Sequence, residues 1–286
     1  MSAKRSYFAS VVLVVVTVTL IGACGCTQGS SSKIVVGIKS SDPAGAREQY
    51  APFVKLMSEN TGQPVALKVC KDADALCRAS AAGEIGFVIV SPTDYVAMKN
   101  TAALEAVATK LNKSGTPYCQ GTLIASKGKG VKGIGDLKGK RFRYGPKGSF
   151  NKNLAALAAF KQAGLKPGDL AGVSYGSGCG GIAQTVLDGQ ADAGVICDYS
   201  WDGWVAKKDA KIGKLAVIAR GPKLRDTVVA AAGGTDAATR EQFVGALLAL
   251  KNNPTILKPP LKARGFARST DGDYDSLRAV IESLGL

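Results

Sequence analysis

The stretch IGDLKGKRFRYGPKGSFN, residues 134–151, decides the fold because it contains a complete strand–turn–helix unit. A surface turn ends at Gly139, residues 140–144 form a short strand, and Gly-Pro-Lys-Gly makes the next turn. Ser149 is a good N-cap, and apolar residues then recur with the helical period as far as Gly164. A hydroxyl residue at a helix start, just after a strand, places backbone N–H groups where an anion can bind.

The same arrangement recurs along the chain. Residues 34–38 and 87–90 are apolar, β-branched runs that predict buried strands, and polar loops that open helices follow each of them. Because ligands of open α/β sheets bind beyond the carboxyl ends of strands, these loops are candidate ligand contacts. Repeating βα units predict the α/β class, with mostly parallel sheets flanked by helices and built twice. The chain has 286 residues, 46% of them hydrophobic, which is enough for two medium lobes.

The N-terminus has the pattern of a secretory signal peptide. Lys4 and Arg5 precede an apolar run, 11–21, that is shorter than the ~20 residues of a membrane-spanning helix. Ile-Gly-Ala before Cys24 also matches the lipoprotein cleavage pattern, so we expect residues 1–23 to be removed and Cys24 to be lipid-modified. An ordinary signal peptide or a membrane anchor is the alternative. Residues 24–32 then form a flexible tether.

Charge and the absence of histidine limit the function classes. The net charge is +15, or +13 without Lys4 and Arg5, which suits an anionic ligand or anionic lipid headgroups. Lys and Arg are scattered rather than interleaved with aromatic residues, so we expect no nucleic-acid partner. The chain has no His, which excludes Ser-His-Asp and Cys-His catalytic arrangements. Asp94 and Asp198 would serve an enzyme only weakly, because an Asp at a helix start is more often a cap. We expect neither enzyme activity nor a cofactor.

A glycine-rich turn at 176–181 follows a predicted strand and opens a helix. Gly176, Gly178 and Gly181 fit the dinucleotide pattern G-x-G-x-x-G, with Asp198 about 20 residues further on. A dinucleotide is a poor partner for an exported chain. A tight turn alone, or a nest of N–H groups that grips a small oxyanion, is the other interpretation, and we favour the nest.

Five segments in this order resemble the periplasmic substrate-binding proteins of the phosphate/phosphite/phosphonate ABC-transporter family. They are the opening strand IVVGI, FVIVSPTDYV at 87–96, DLKGKRF at 136–142, GS followed by the polar residue Asn151 at 148–151, and GQADAG at 189–194. The resemblance covers about residues 33–250. DLKGKRF alone occurs in many binding-protein families, whereas the ordered set is specific.

The resemblance implies a type II periplasmic-binding-protein fold, with two α/β lobes that close on a ligand in a cleft. We place lobe one at 33–118 and 230–286, and lobe two at 119–229. It also implies that the protein passes a small ligand to an ABC-transporter permease from the periplasm or cell envelope, while its lipid anchor holds it to a membrane. We expect a monomer.

The resemblance also implies the ligand contacts, residue by residue. It carries contact onto Ser91, Thr93 and Tyr95 from lobe one, and onto Ser149, Ser177 and Cys179 from lobe two. Residues of the loops at the cleft complete the predicted set: Ser40, Ser41, Asn151, Cys197 and Tyr199. Phosphonate-type members have a His at the position of Cys179 and an acidic residue at that of Cys197. Without them, an oxyanion such as phosphate or a phosphonate would be held by neutral hydroxyls and backbone N–H groups.

Seven cysteines leave a second ligand class open. Disulfides that pair Cys70 with Cys77, and Cys179 with Cys197, are the ordinary expectation for an exported protein. If Cys179 and Cys197 are instead free thiols in the cleft, with Cys119 nearby, they would favour a soft ligand such as arsenite. A third alternative is an apolar molecule such as a sterol, beside Trp201 and Trp204.

Overall fold

A computed structural model describes residues 33–286. The predicted signal peptide, the lipidation site Cys24 and the tether therefore lie outside the described residues. In residues 33–286, no helix combines the length and the apolar character needed to cross a bilayer.

Eleven strands make up two sheets in this part of the chain. In chain order the strands are β1 (Ile34–Lys39), β2 (Val65–Cys70), β3 (Phe87–Val90), β4 (Glu105–Leu111), β5 (Tyr118–Ser126), β6 (Arg141–Tyr144), β7 (Gly172–Tyr175), β8 (Ala193–Cys197), β9 (Leu215–Arg225), β10 (Val228–Ala231) and β11 (Gly265–Arg268). The six-stranded sheet of lobe one has the order β11-β4-β10-β3-β1-β2, and the five-stranded sheet of lobe two has the order β7-β6-β8-β5-β9.

Ten α-helices cover these sheets. They are α1 (Pro43–Thr61), α2 (Ala73–Ala81), α3 (Pro92–Met98), α4 (Ala155–Gln162), α5 (Cys179–Leu187), α6 (Asp198–Ala206), α7 (Lys211–Lys214), α8 (Ala237–Leu248), α9 (Pro254–Leu257) and α10 (Asp275–Leu284). A π-helical turn, Phe150–Leu154, leads directly into α4. Short 3-10 turns complete the connections.

The α/β class with two sheets is confirmed, but each sheet is mixed rather than mostly parallel as predicted. β1 pairs in parallel with β2 and β3, and β6 pairs in parallel with β7 and β8. The pairings of β10, β4 and β11 in lobe one, and of β5 and β9 in lobe two, are antiparallel. The antiparallel part arises where the chain crosses between lobes, because β4 leads into β5 and β9 returns into β10. The predicted return to lobe one at residue 230 falls inside β10.

Aromatic side chains fasten helices to both sheets. In lobe one, Phe243 of α8 stacks on Phe87 of β3 with ring centroids 4.0 Å apart. In lobe two, Phe160 of α4 meets Phe142 of β6 edge-to-face at 5.0 Å. All four rings are fully buried. The contacts therefore hold α8 and α4 in fixed positions over their sheets.

The segment after residue 253 differs from its prediction. A single helix over 254–263 is expected from the sequence, but α9 ends at Leu257 and β11 follows. Pro259 and Pro260 explain the early end, because proline lacks the N–H that a helix interior needs.

The last helix, α10, joins the lobes. It follows β11 of lobe one, yet Leu277 and Val280 pack with Leu154 and Ala158 of lobe two in one apolar cluster. Arg225 of β9 is also ion-paired with Asp273, just before α10. The contact holds the two lobes together on one side of the cleft.

Candidate functional site: the cleft between the lobes

The two lobes meet directly at the loops that follow β3 and β6. The hydroxyl of Thr93 donates to the carbonyl oxygen of Gly148 at 3.3 Å, which joins lobe one to lobe two. Two cavities lie along this junction, and residues of both lobes line each of them. We call them the serine cavity and the lysine cavity.

The serine cavity, of about 660 Å³, has Ser91 and Thr93 on one wall and Ser149 on the other. Ser91 caps α3 by accepting from the backbone N–H of Asp94 at 3.2 Å, and its hydroxyl also donates to the Asp94 carboxylate at 2.5 Å. Lys39 lies 2.7 Å from the same carboxylate. The hydroxyls and the lysine of this wall are thus already engaged, and the carboxylate makes the wall unfavourable for an anion.

Ser149 caps the helix start in lobe two, as the sequence predicts. Its side chain accepts from the backbone N–H of Lys152 at 3.3 Å and donates to the side-chain oxygen of Asn151 at 3.0 Å. Gly148, at φ 73°, makes the left-handed turn that brings Ser149 to the cap position. Lys152, in the first turn of the helix, lines the lysine cavity and not the serine cavity.

The lysine cavity, of about 450 Å³, has four lysines in its wall. Lys110, Lys113 and Lys262 come from lobe one, and Lys152 comes from lobe two. Lys110 lies 3.3 Å from the buried carboxylate of Asp226. Within residues 33–286, the other three form no ion pair. The cavity therefore has an excess of positive charge supplied by both lobes.

The N-terminus of α5 opens into the same cavity. Gly178, Cys179 and Gly180 line it, and Gly178 at φ 78° precedes the helix without a side-chain cap. Helix N-termini leave their first N–H groups without intrahelical partners, and those groups suit an anion. This is the location of the nest predicted from the glycine-rich turn, and it faces the lysines of lobe one.

A cluster of thiols forms the floor behind Cys179. The amide nitrogen of Asn151 donates to Cys119 Sγ at 2.6 Å and to Cys197 Sγ at 3.2 Å. The backbone N–H of Cys197 donates to Cys179 Sγ at 3.3 Å. Cys119 and Cys197 are fully buried, whereas Cys179 is half-buried and reaches the cavity.

The surroundings of Cys179 and Cys197 keep these two thiols protonated. Hydrogen bonding with Cys119, together with burial, raises the pKa of Cys197 to about 12. Hydrogen bonding with Cys197 and burial raise the pKa of Cys179 well above the usual thiol range. Burial, with the neighbouring thiols, also raises the pKa of Tyr199. Cys179 and Cys197 are therefore neutral at pH 7, and their contribution to the stability of the folded state is complete below the unfolded thiol pKa near 8.5 and declines as pH rises toward 12.

The five cysteines of the described residues are unbridged, so neither predicted disulfide is present. Cys179 accepts a hydrogen bond from the backbone of Cys197 instead of bonding to its sulfur. Cys70 ends β2 and Cys77 lies within α2, where both pack as apolar side chains in the core of lobe one.

Comparison with known proteins identifies the family of this chain. A model of the family described as "ABC transporter, phosphonate, periplasmic substrate-binding protein" matches residues 36–274. The chain belongs to this phosphonate-binding family. The resemblance that the sequence motifs indicate is thereby confirmed, and the family is one of transport proteins that bind a substrate in the periplasm.

Solved structures of low identity share the fold. The binding-protein component of an ABC phosphonate transporter from Pseudomonas aeruginosa is 19% identical, with a TM-score of 0.63 over 87% of this chain and 85% of that one. PhnD1 from Prochlorococcus marinus in complex with methylphosphonate is 16% identical, with a TM-score of 0.66 over 89% and 99%. XAC2383 from Xanthomonas citri bound to ATP is 15% identical, with a TM-score of 0.67 over 87% and 95%.

The predicted contacts of this phosphonate-binding family member divide between the two cavities. Ser91, Thr93 and Ser149 line the serine cavity, and Cys179 and Tyr199 line the lysine cavity. Asn151 and Cys197 are buried behind the lysine cavity as parts of the thiol cluster. The predicted set thus surrounds the junction between the lobes without forming one shared pocket.

Three predicted contacts lie elsewhere. Ser40 forms a local turn with Asp42, Ser41 is exposed, and neither lines a cavity, although their neighbour Lys39 does. Ser177 is exposed in the loop after β7, one residue before the part of the turn that reaches the cavity.

Tyr95 is also placed differently from its prediction, because its ring lies in the core of lobe one. It is fully buried, its hydroxyl donates to Asp271 at 2.7 Å, and it accepts from the backbone N–H of Ala106 at 3.2 Å. The reason is helical spacing, since Tyr95 and Met98 share the face of α3 that packs on the sheet.

Changing Tyr95 to Phe should therefore affect stability and leave ligand affinity unchanged. Removal of the hydroxyl leaves the buried N–H of Ala106 without its partner, so we expect the free energy of unfolding to fall by about 1–3 kcal/mol. Urea denaturation measures this loss, and calorimetric titration of a bound anion measures affinity. Tyr175→Phe is the control, because Tyr175 is 39% exposed. A lower anion affinity in Tyr95→Phe would show that Tyr95 contributes to the binding site.

Sequence reasoning missed the lysines. Lys110, Lys113 and Lys262 are separated by up to 152 residues and carry no motif, so only the crossing of β4 and the return of the C-terminal segment bring them together. Lys152 could have been found from the sequence, because it lies in the first turn of a helix whose capped start is predicted to bind an anion.

Gly121 sets the position of the helix start that holds Lys152 and Asn151. A methyl group added at Gly121 would lie 2.4 Å from the carbonyl oxygen of Asn151 and 3.1 Å from the methyl of Ala155. We expect Gly121→Ala to lower the free energy of unfolding by about 1–3 kcal/mol, because backbone must shift. Urea denaturation is the measurement. Gly128→Ala, with open space around the added methyl, is the control and should cost much less.

Proposed function

We propose that this protein captures a phosphorus oxyanion, phosphate-like or phosphonate-like, in the lysine cavity and delivers it to an ABC-transporter permease. The single observation that carries the proposal is the convergence of four lysines, from both lobes, on the uncapped N-terminus of α5. Methylphosphonate and ATP, the ligands named for two of the structural neighbours, both present phosphorus oxyanions.

The chemistry of this cavity suits an anion despite the absence of histidine. Lysine ammonium groups act as compact charges toward phosphate oxygens, and the N–H groups of a helix start add directional hydrogen bonds. Tyr199 and Ser200, which also line the cavity, have hydroxyls that can donate to further oxygens. We expect binding without covalent chemistry.

The division of the lysines between lobes supports capture by closure. Lys110, Lys113 and Lys262 move with lobe one, and Lys152 moves with lobe two, so the complete set exists only while the lobes are together. A ligand that contacts both halves favours the closed state by its extra contacts there. The interlobe hydrogen bond of Thr93 and the packing of α10 would hold the same state.

The cellular setting is part of the proposal. The family is periplasmic, and the signal pattern of residues 1–23 with Cys24 supports lipid anchoring to a membrane. We propose that the protein acts as an anchored monomer and that the permease is its protein partner. Palmitate labelling in the producing cells tests the anchor, because Cys24→Ala should abolish it and Cys26→Ala should not.

Calorimetric titration of the purified mature protein tests the ligand class. Phosphate, phosphite, methylphosphonate and ATP should include at least one tight binder, and glucose should not bind. Affinity should fall as salt concentration rises, because exposed parts of the lysines are screened. Failure of all four anions would contradict the proposal, and so would an affinity for them that salt leaves unchanged.

A soft metalloid such as arsenite is the second candidate, favoured by the three adjacent thiols. It ranks below the oxyanion because, within residues 33–286, no group of three or more His, Cys, Asp or Glu side chains is arranged to hold a metal ion. An apolar ligand such as a sterol suits the lysine cavity poorly, since it would displace water from the half-buried Lys110 and Lys152 without offering them a partner.

Thiol alkylation separates these candidates. Because Cys179 and Cys197 stay protonated and largely buried, iodoacetamide at pH 7 should modify them far more slowly in the folded protein than in urea. Prior treatment with arsenite should not change the alkylation rate of the folded protein, and phosphate affinity should survive Cys179→Ala. Protection of the thiols by arsenite would favour the second candidate.

A further inference from the structure

We propose that the ligand of the lysine cavity is an organic phosphate with three or more negative charges and an apolar or aromatic body, rather than a small phosphonate. This inference deepens the proposed function and rests on it. It follows from three properties of the cavity: its unpaired charge, its volume and the apolar part of its wall.

The charge of the wall exceeds what a small phosphonate neutralises. Of the four lysines, only Lys110 has a carboxylate partner within the described residues, so Lys113, Lys152 and Lys262 leave about three positive charges unmatched. A phosphonate carries at most two negative charges. Lys113 and Lys262 are exposed, so hydration reduces the cost of the unmatched charge, but the neighbouring ammonium groups still repel one another. A ligand with three or more negative charges matches the set.

The volume of the lysine cavity also indicates a ligand larger than a small phosphonate. At about 450 Å³ the cavity falls within the 300–1,000 Å³ of sites that enclose whole organic ligands. A tetrahedral oxyanion has five heavy atoms and would leave most of this space to water, whose share of liquid volume is about 30 Å³ each. The additional room therefore suits a ligand with a substantial body beyond its phosphate.

The wall supplies a surface for such a body. Trp204 of α6 lines the cavity from lobe two, while Pro260 and the buried Leu261 line it from lobe one. The ammonium of Lys211 lies 5.6 Å from the centroid of the Trp204 ring, which fixes that ring against α7. A planar or apolar group between Trp204 and Pro260, which is half-buried, would contact both lobes while its phosphates meet the lysines.

A set of four probes tests charge and body separately. Calorimetric titrations at constant ionic strength, with EDTA present, compare inorganic phosphate, AMP, tripolyphosphate and ATP. AMP and ATP share a body and differ in charge, whereas tripolyphosphate and ATP share the chain of phosphates and differ in body. We expect ATP to bind at least tenfold more tightly than AMP and at least tenfold more tightly than tripolyphosphate.

The failures of the two proposals are distinguishable. If phosphate binds as tightly as ATP, the inference is wrong and the proposed function stands. Equal affinity for tripolyphosphate and ATP would also overturn the inference, because the body would then contribute nothing. If none of these four probes binds, the inference fails, and the proposed function fails as well if phosphite and methylphosphonate also do not bind.

Two variants locate the body. Trp204→Ala should weaken ATP binding by roughly tenfold and leave tripolyphosphate binding unchanged. Trp201→Ala is the matched control, because Trp201 belongs to the same packed cluster but does not line the cavity, and it should change neither affinity. Equal loss of ATP affinity in both variants would contradict the placement. The comparison of probes on the unaltered protein remains decisive if either variant folds poorly.

Discussion

Reversal of two charges, Lys152→Glu with Lys262→Glu, should abolish anion binding in the lysine cavity. The two lysines belong to different lobes and face the same space, so the double change replaces attraction by repulsion on both sides of the ligand. A hydrogen bond to a charged group contributes about 1.5–3 kcal/mol, and two like charges 4 Å apart repel by about 4 kcal/mol at an effective dielectric of 20. We therefore expect affinity for phosphate or ATP to fall on the order of 10³-fold or more.

The control keeps the change in net charge and moves it away from the cleft. Lys138→Glu with Lys166→Glu alters two exposed lysines at the opposite end of lobe two, before β6 and after α4. Affinity in this variant should stay within about threefold of the unaltered protein, because exposed charges beyond a Debye length of ~10 Å are screened. Equal losses in the two variants would show that overall charge attracts the anion and would remove the cavity from the proposal.

Phe160→Ala should be strongly destabilising. Phe160 is fully buried in α4 and contacts Phe142 and Tyr144 of β6 edge-to-face, with centroids 5.0 and 6.2 Å away. Truncation of a buried phenylalanine costs about 3–5 kcal/mol, from lost burial and from the cavity that remains. Urea denaturation should show this decrease in the free energy of unfolding.

The position of α4 also gives this change a functional consequence. The helix continues the turn that holds Lys152 and Asn151, so its loosening should weaken anion binding and speed alkylation of Cys179 under native conditions. Val173→Ala is the control, since Val173 is 48% exposed and the expected loss is below about 1 kcal/mol. A loss of similar size in both variants would contradict the assigned packing.

Local signals made much of the fold predictable. Strands over 34–38 and 87–90, the capped starts at Ser91 and Ser149, and the glycine-rich entry to α5 are all found as expected. Each depends on a few adjacent residues, such as a β-branched run, a hydroxyl that accepts from a helix N–H, or a glycine at positive φ. The repeating βα units and the chain length predicted two lobes, and the family motifs added their closure on a ligand in a cleft.

The candidate site was less predictable because its parts are distant in sequence. Tyr95 was expected in the cleft, but the face of α3 that packs on the sheet takes its ring into the core. The thiol cluster arises where β5, β8 and the start of α5 meet, which depends on strand order rather than on spacing in the chain.

By itself, the sequence determined the α/β class, the strand–helix units and the glycine-rich helix start whose N–H groups suit an anion, because these follow from short-range sterics and hydrogen bonding. Only the tertiary structure decided which charges face that helix start. Lys110, Lys113 and Lys262 reach Lys152 through the crossing of strands between lobes and the return of the chain after α9. Such convergence is fixed by long-range packing, and no local pattern of residues encodes it.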